Sequence, residues 1–139
     1  MSPGFVADSS VAVGWAVLSQ SSAATERLLD EIAEGREFLV PLLWTFEVAN
    51  GLLILTRRKR LSPEQSRRAR EALRALNPVI DEDGPRRALA EITALAERHM
   101  LSIYDATYLE LAIRKRVPLA SRDASLNRAA VRAGVSTLI

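Results

Sequence analysis

The chain has 139 residues, 48% of them hydrophobic, and a net charge of +2, a size and balance suited to one globular domain spanning residues 1–139. It contains no cysteine and a single histidine, His99, which excludes disulfides, thiolate metal sites, cysteine nucleophiles and a multi-histidine zinc centre. No stretch approaches the ~18 uncharged apolar residues of a membrane span, and no basic leader precedes an apolar run; a soluble, cytoplasmic protein without membrane contact is expected.

Phe5, Val6 and Ala7 read as a short strand ending at Asp8, with Ser9 and Ser10 leading into a helix through Trp15 and Leu18. Asp8 stands at a strand's carboxyl end, where it caps the helix or faces a ligand. Ser22 to Glu34 is a second helix with Leu28, Leu29, Ile32 and Ala33 as its stripe and Gly35 past its end. Phe38 to Pro41 is a strand stopped by proline.

Leu43 to Arg60 is a long helix on which Leu43, Phe46, Glu47, Asn50 and Ile54 share a side. Glu47 has no Lys or Arg at the neighbouring helix positions. An inward glutamate without a partner is costly, so it serves a site or reaches a distant arginine. From Arg57 to Leu76 the chain carries eight basic and two acidic residues, a net +6 that leaves −4 elsewhere. That asymmetry suits a polyanion, or else a solvated helix face.

Ser62-Pro63-Glu64 opens a helix running to Leu76, and Asn77-Pro78 breaks it. Val79-Ile80 is a short strand, followed by the acidic turn Asp81-Glu82-Asp83-Gly84, whose side chains diverge and are expected in solvent. Pro85 to Met100 is amphipathic through Leu89, Ile92, Leu95 and Ala96, with His99 as a C-terminal cation.

A further helix runs from Ser102 to Arg116, with Asp105 on the face of Leu101, Leu109 and Ala112 and without a local cation. Ser102-x-x-Asp105 is also close to a capping box. The apolar strand Leu119 to Ser121 delivers Asp123, which caps a last helix, Ala124 to Ala133, or joins a site. Val135 to Leu138 reads as a final strand. Strands alternate with helices throughout, the pattern of a parallel sheet covered on both faces.

Asp8, Glu47, Asp105 and Asp123 come from four separate elements. If they converge, two carboxylates about 4 Å apart repel by roughly 4 kcal/mol at an effective dielectric of 20, whereas a helix N-terminus returns only about 0.3 to 1 kcal/mol. Protonation or a divalent cation then has to relieve the charge. Oxygen donors without His or Cys favour Mg²⁺, with Mn²⁺ able to substitute, and such an ion suits phosphate-ester hydrolysis.

These motifs resemble the PIN-domain ribonucleases, in particular the VapC-type toxins of bacterial toxin-antitoxin pairs. The resemblance covers nearly the whole chain: FVADSSVAVGW around Asp8 and Ser10, PLLWTFEVANGL around Glu47, YDATYLELA around Asp105, and PLASRDASLNRAAVRAGV around Ser121 and Asp123. It implies an α/β protein with a three-layer α/β/α PIN-like fold and a central, mainly parallel sheet. It implies Mg²⁺ held chiefly by Asp8 and Asp105, with Asp123 and Glu47 completing the catalytic pocket, and Ser10 and Ser121 as supporting hydroxyls. Ser121 stands where the family usually has threonine. The resemblance also implies single-strand RNA cleavage to 3′-hydroxyl and 5′-phosphate ends, a homodimer, and inhibition by a VapB-type antitoxin. Arg57, Arg58, Arg60, Arg67 and Arg68 are then expected to contact the RNA or that antitoxin.

Other acid-rich α/β enzymes fit poorly. A haloacid-dehalogenase-like phosphatase wants a second Asp where Ser10 stands, and a response-regulator receiver wants an acidic pair after the first strand and a late lysine, whereas Lys115 is the last. The alternative is a catalytically inactive PIN-fold module that binds RNA or a partner.

Overall fold

Consecutive apolar residues without alternation suit a strand covered on both faces, and β1 (Phe5–Ala7) is fully buried. The computed structural model describes residues 3–139. β2 (Phe38–Pro41) and β4 (Leu119–Ala120) flank β1, and β3 (Val79–Asp81) pairs with β2, giving the order β3-β2-β1-β4 with every pairing parallel. Val6 lies opposite both Leu39 and Leu119. The chain winds outward from β1 to β3, then crosses back to place β4 on the other side of β1. The crevice beyond the carboxyl ends of β1 and β4 is therefore a topological switch point, where open α/β sheets bind ligands.

On one layer α1 (Ser9–Ala16) packs against α2 (Ala23–Ala33), α3 (Leu43–Arg57) and α4 (Pro63–Arg74). After the short α5 (Gly84–Arg87), the other layer holds α6 (Thr93–His99), α7 (Ile103–Lys115) and α8 (Ala124–Arg132), with α7 lying against β1, β2 and β4. This is the expected three-layer α/β/α arrangement. Among the described residues no helix is long and apolar enough to cross a membrane.

Local signals set the helix starts. Ser22 and Ser62 form capping boxes with Thr25 and Gln65, and Pro63 occupies the first turn of α4. α3 ends at Arg57 rather than Arg60, because Lys59 takes a left-handed conformation (φ 58°) that breaks the helix. Its buried face is Trp44, Val48 and Leu52, not the side carrying Phe46 and Asn50, both of which are exposed. Apolar residues occur on nearly every side of this helix, so spacing alone leaves its rotation open.

Two other expectations change. Between Arg87 and Thr93 the helix widens into a π turn, Ala88–Ile92, with Thr93 Oγ1 donating to the Ala88 carbonyl (2.6 Å). The wider turn rotates Leu89 off the stripe, leaving it 96% exposed while Ile92 is buried. Val135 to Leu138 contributes only a bridge, Leu119 to Thr137, because β4 is too short to template more.

Asp81 is not in solvent as expected. It ends β3 and accepts Arg114 Nη1 (2.9 Å) and Nη2 (2.7 Å), while Arg114 Nε donates to Glu110 (3.0 Å). This largely buried cluster ties α7 to the sheet edge, and Arg114 holds the Asp81 carboxyl below its ordinary range.

Candidate active site

All four acids lie at the carboxyl edge of the sheet or near the start of helices that begin there. Asp8 follows β1 directly, Glu47 is in α3 just after β2, Asp105 is in the first turn of α7, and Asp123 follows β4. The N-terminal ends of α1, α3, α7 and α8 gather at that edge, each contributing partial positive charge.

Asp8 is buried at the switch point and is the most constrained. Ser10 Oγ donates to its Oδ1 (2.6 Å), Ser121 Oγ donates to its Oδ2, and the Val11 amide donates to Oδ1 (3.2 Å). The Asp8 amide in turn donates to the Ala120 carbonyl (3.0 Å), locking it beside β4. Burial nonetheless pushes the Asp8 carboxyl above its ordinary value, with these hydrogen bonds only partly offsetting it. Ser10 and Ser121 reach outward as well, since Ser10 Oγ accepts the Arg122 amide (3.1 Å) and Ser121 Oγ accepts the Asp123 amide (3.0 Å).

Asp123 caps α8 by accepting the Leu126 amide (3.0 Å), so capping and membership of the pocket are compatible uses of one side chain. Asn127, one turn later, donates to the Ser121 carbonyl (2.9 Å) and fixes α8 to the end of β4. Among the described residues Asp105 takes no ion-pair partner. Ser102 Oγ accepts its amide (3.1 Å). The Asp105 carboxyl is raised first by burial, then by the charges of Asp123 and Asp8.

Glu47 is half-buried and reaches no arginine. Its Oε1 accepts Tyr108 Oη at 2.6 Å, a bond between α3 and α7. Burial raises the Glu47 carboxyl most, the charges of Asp105 and Asp8 raise it further, and the Tyr108 hydrogen bond opposes both. Tyr108 is itself buried, and burial together with Glu47 raises its phenol. Spacing did not find Tyr108, although it lies three residues after Asp105, because its partner is 61 residues away.

The acids therefore feel one another, each is held by neutral donors, and among the described residues none of the four forms an ion pair with a cation. A set of oxygen-only donors fits a hard divalent cation. Among the described residues no group of three or more acids or histidines stands ready-made around an ion position.

The basic residues divide. Arg67 pairs with Glu64 and Glu71, and Arg68 with Glu64 (3.2 Å), within α4. Arg57, Arg58 and Arg60 are exposed and form no ion pair among the described residues.

The fold brings acids from four separate elements toward the carboxyl edge of one parallel sheet. The PIN domain family model matches residues 5–132, and the chain belongs to that family, whose members are generally nucleases. The solved structure of PAE2754 from Pyrobaculum aerophilum is similar, with 18% identity, a TM-score of 0.73, and coverage of 98% of this chain and 84% of that one. FitAcB from Neisseria gonorrhoeae is similar at 17% identity and a TM-score of 0.66, covering 97% of this chain and 96% of that one. Both likenesses concern the fold. No curated protein matches in sequence.

Proposed function

We propose that the chain is a Mg²⁺-dependent endoribonuclease, acting as a single PIN domain, that cuts single-stranded RNA to 3′-hydroxyl and 5′-phosphate ends. The observation that carries this reading is that Asp8, Glu47, Asp105 and Asp123 come from elements meeting at one sheet edge, act on one another's charge, and pair with no cation among the described residues of a PIN domain. Asp8, Asp105 and Asp123 would hold the ion, with Glu47 completing the pocket. When bound, a divalent cation supplies charge for the phosphodiester oxygens and lowers the pKa of water.

The chain's own residues do the rest. Ser10, Ser121 and the Val11 amide fix both oxygens of Asp8, so its carboxylate is oriented before substrate arrives. Tyr108 occupies Glu47 Oε1, leaving Oε2 to accept a proton from an attacking water. The raised proton affinity of Glu47 suits that task. Tyr108→Phe deletes only the donor, and is expected to lower cutting about 10- to 100-fold, as loss of a supporting partner does. Rates and thermal melts of the variant check this; an unchanged rate removes Tyr108 from the account.

The motif resemblance further supports a cytoplasmic homodimer that acts as the toxin of a toxin-antitoxin pair and is neutralised by a VapB-type antitoxin. A small DNA-binding protein encoded immediately upstream would support that role. The absence of a ready-made ion cage favours a second reading, a PIN-fold module that binds RNA or a partner without cutting.

Chelation separates the two readings. Purified protein is expected to cut single-stranded RNA with Mg²⁺ or Mn²⁺ and to stop in EDTA. Saturating Mn²⁺ should also raise the melting temperature, since a ligand at 100 times its Kd stabilises by about 2.7 kcal/mol. Cutting that persists in EDTA refutes the metal-dependent reading, and no cutting with either ion favours the binding module.

A further inference from the structure

The chain has seven aromatic residues, two Trp, two Tyr and three Phe. Phe5, Phe38, Trp44 and Tyr108 are buried, and Trp15 packs edge-on against Phe38 with its indole N–H bound to the Thr25 carbonyl. The remaining two are exposed, Phe46 at 78% and Tyr104 at 64%. Each immediately precedes a pocket acid, Phe46 before Glu47 and Tyr104 before Asp105. On a helix an adjacent residue is turned by about 100°, so each ring flanks its acid rather than sharing its direction. The two helices meet where Tyr108 Oη donates to Glu47.

Phe46 does not end in an isolated apolar spot. Phe46, Asn50, Leu53 and Arg57 follow one another at helical spacing along α3, and all four are exposed. This stripe runs about 16 Å from the acid pocket to Arg57, Arg58 and Arg60, which form no ion pair among the described residues. Its composition passes from a planar apolar face beside the carboxylates to cations at the far end. A polyanion bearing planar bases matches that sequence of groups.

We propose that Phe46 and Tyr104 are stacking platforms for unpaired RNA bases on either side of the phosphodiester at the acid pocket, with the stripe on α3 carrying the strand to Arg57, Arg58 and Arg60. The inference rests on the nuclease reading for what lies between the rings. Aromatic faces accept any base, so they give affinity and demand a single strand without imposing a sequence. The basic end holds onward phosphates through charge alone.

The test uses the full chain carrying Asp8→Asn, which prevents cutting, and the binding of fluorescein-labelled oligouridylate by anisotropy. Phe46→Ala and Tyr104→Ala are each expected to weaken binding about tenfold, whereas Phe46→Trp and Tyr104→Phe retain it. The salt dependence should stay unchanged in the aromatic variants and flatten when Arg57, Arg58 and Arg60 become Ala. On an abasic ribose-phosphate oligomer, the alanine variants should bind as well as the unsubstituted rings. Both rings are exposed, and melting curves confirm that the variants fold.

Unchanged affinity in both alanine variants, an equal loss on the abasic oligomer, or no RNA binding at all overturns the proposal. So does a Phe46→Ala protein that loses self-association in sedimentation while keeping its RNA affinity, which would assign the ring to a protein contact. RNA that wild-type protein binds through the rings but fails to cut with Mg²⁺ refutes the nuclease reading instead.

Discussion

Asp105→Asn is expected to reduce metal-dependent RNA cutting by at least about 10²- to 10³-fold, the scale of losing one electrostatic contact to the transition state, while leaving the fold no less stable. The two effects come from the same carboxylate. Asp105 gains no arginine or lysine; burial and the charges of Asp123 and Asp8 all disfavour its ionised form. Asparagine keeps the size and the Ser102 cap, because that cap is accepted from the main-chain amide. Without metal, the substitution removes the repulsion at the expense only of the Ser102 hydrogen bond that favours the ionised carboxyl.

The pH dependence follows. The folded Asp105 carboxyl lies above its unfolded value of ~3.9, so between the two the native state holds more protons than the unfolded state. Wild-type stability therefore has a component that rises as pH falls through that window, and Asp105→Asn lacks it. The variant's advantage should be largest above the window and vanish below about pH 3.9. Thermal melts from neutral to acid pH in EDTA measure it. A variant that is inactive and also unfolded would make Asp105 a structural residue.

Arg114→Ala carries the largest expected loss of stability. Asp81 and Glu110 side chains are each 9% exposed and Arg114 is 17% exposed, so removing the guanidinium strands Asp81 in a poorly hydrated place and leaves Glu110 only its longer contact with Arg87 (3.8 Å). Breaking such a pair from one side costs about 3 kcal/mol or more, a fall of about 10 °C in the melting temperature for a chain of this size. Arg114→Lys keeps the charge but not the two-pronged contact with Asp81, and should fall between. The Asp81 contribution has the opposite pH sign to Asp105. Its folded value is depressed, so its stabilisation is present above ~3.9 and is lost as pH falls through the folded value. An Arg114→Ala protein that melts with wild type would show the cluster to be energetically neutral.

Three of the four candidate acids were legible in the sequence because they mark local events. Asp8 and Asp123 each stand between an apolar strand and a helix, and Asp105 sits in the first turn after Ser102. What stayed hidden depends on residues far apart in the chain. Glu47 was visible as a glutamate lacking a cation, but its partner is the phenol of Tyr108 across two helices. The Glu110 and Arg114 pair is one helical turn, whereas Asp81 comes from 33 residues away and turns an apparently solvated acid into a buried one. Rotation of α3 was ambiguous because apolar residues surround it, and the π turn displaced Leu89 by a wider coil that composition does not signal.

Titration of full-length protein with Mn²⁺ by calorimetry, in wild type and in Asp8→Asn and Asp105→Asn, puts the acid pocket to the test without any substrate. Saturable binding by wild type that is lost in both variants is expected. No binding by wild type, or binding that survives in both variants, contradicts a divalent-cation site built from these carboxylates.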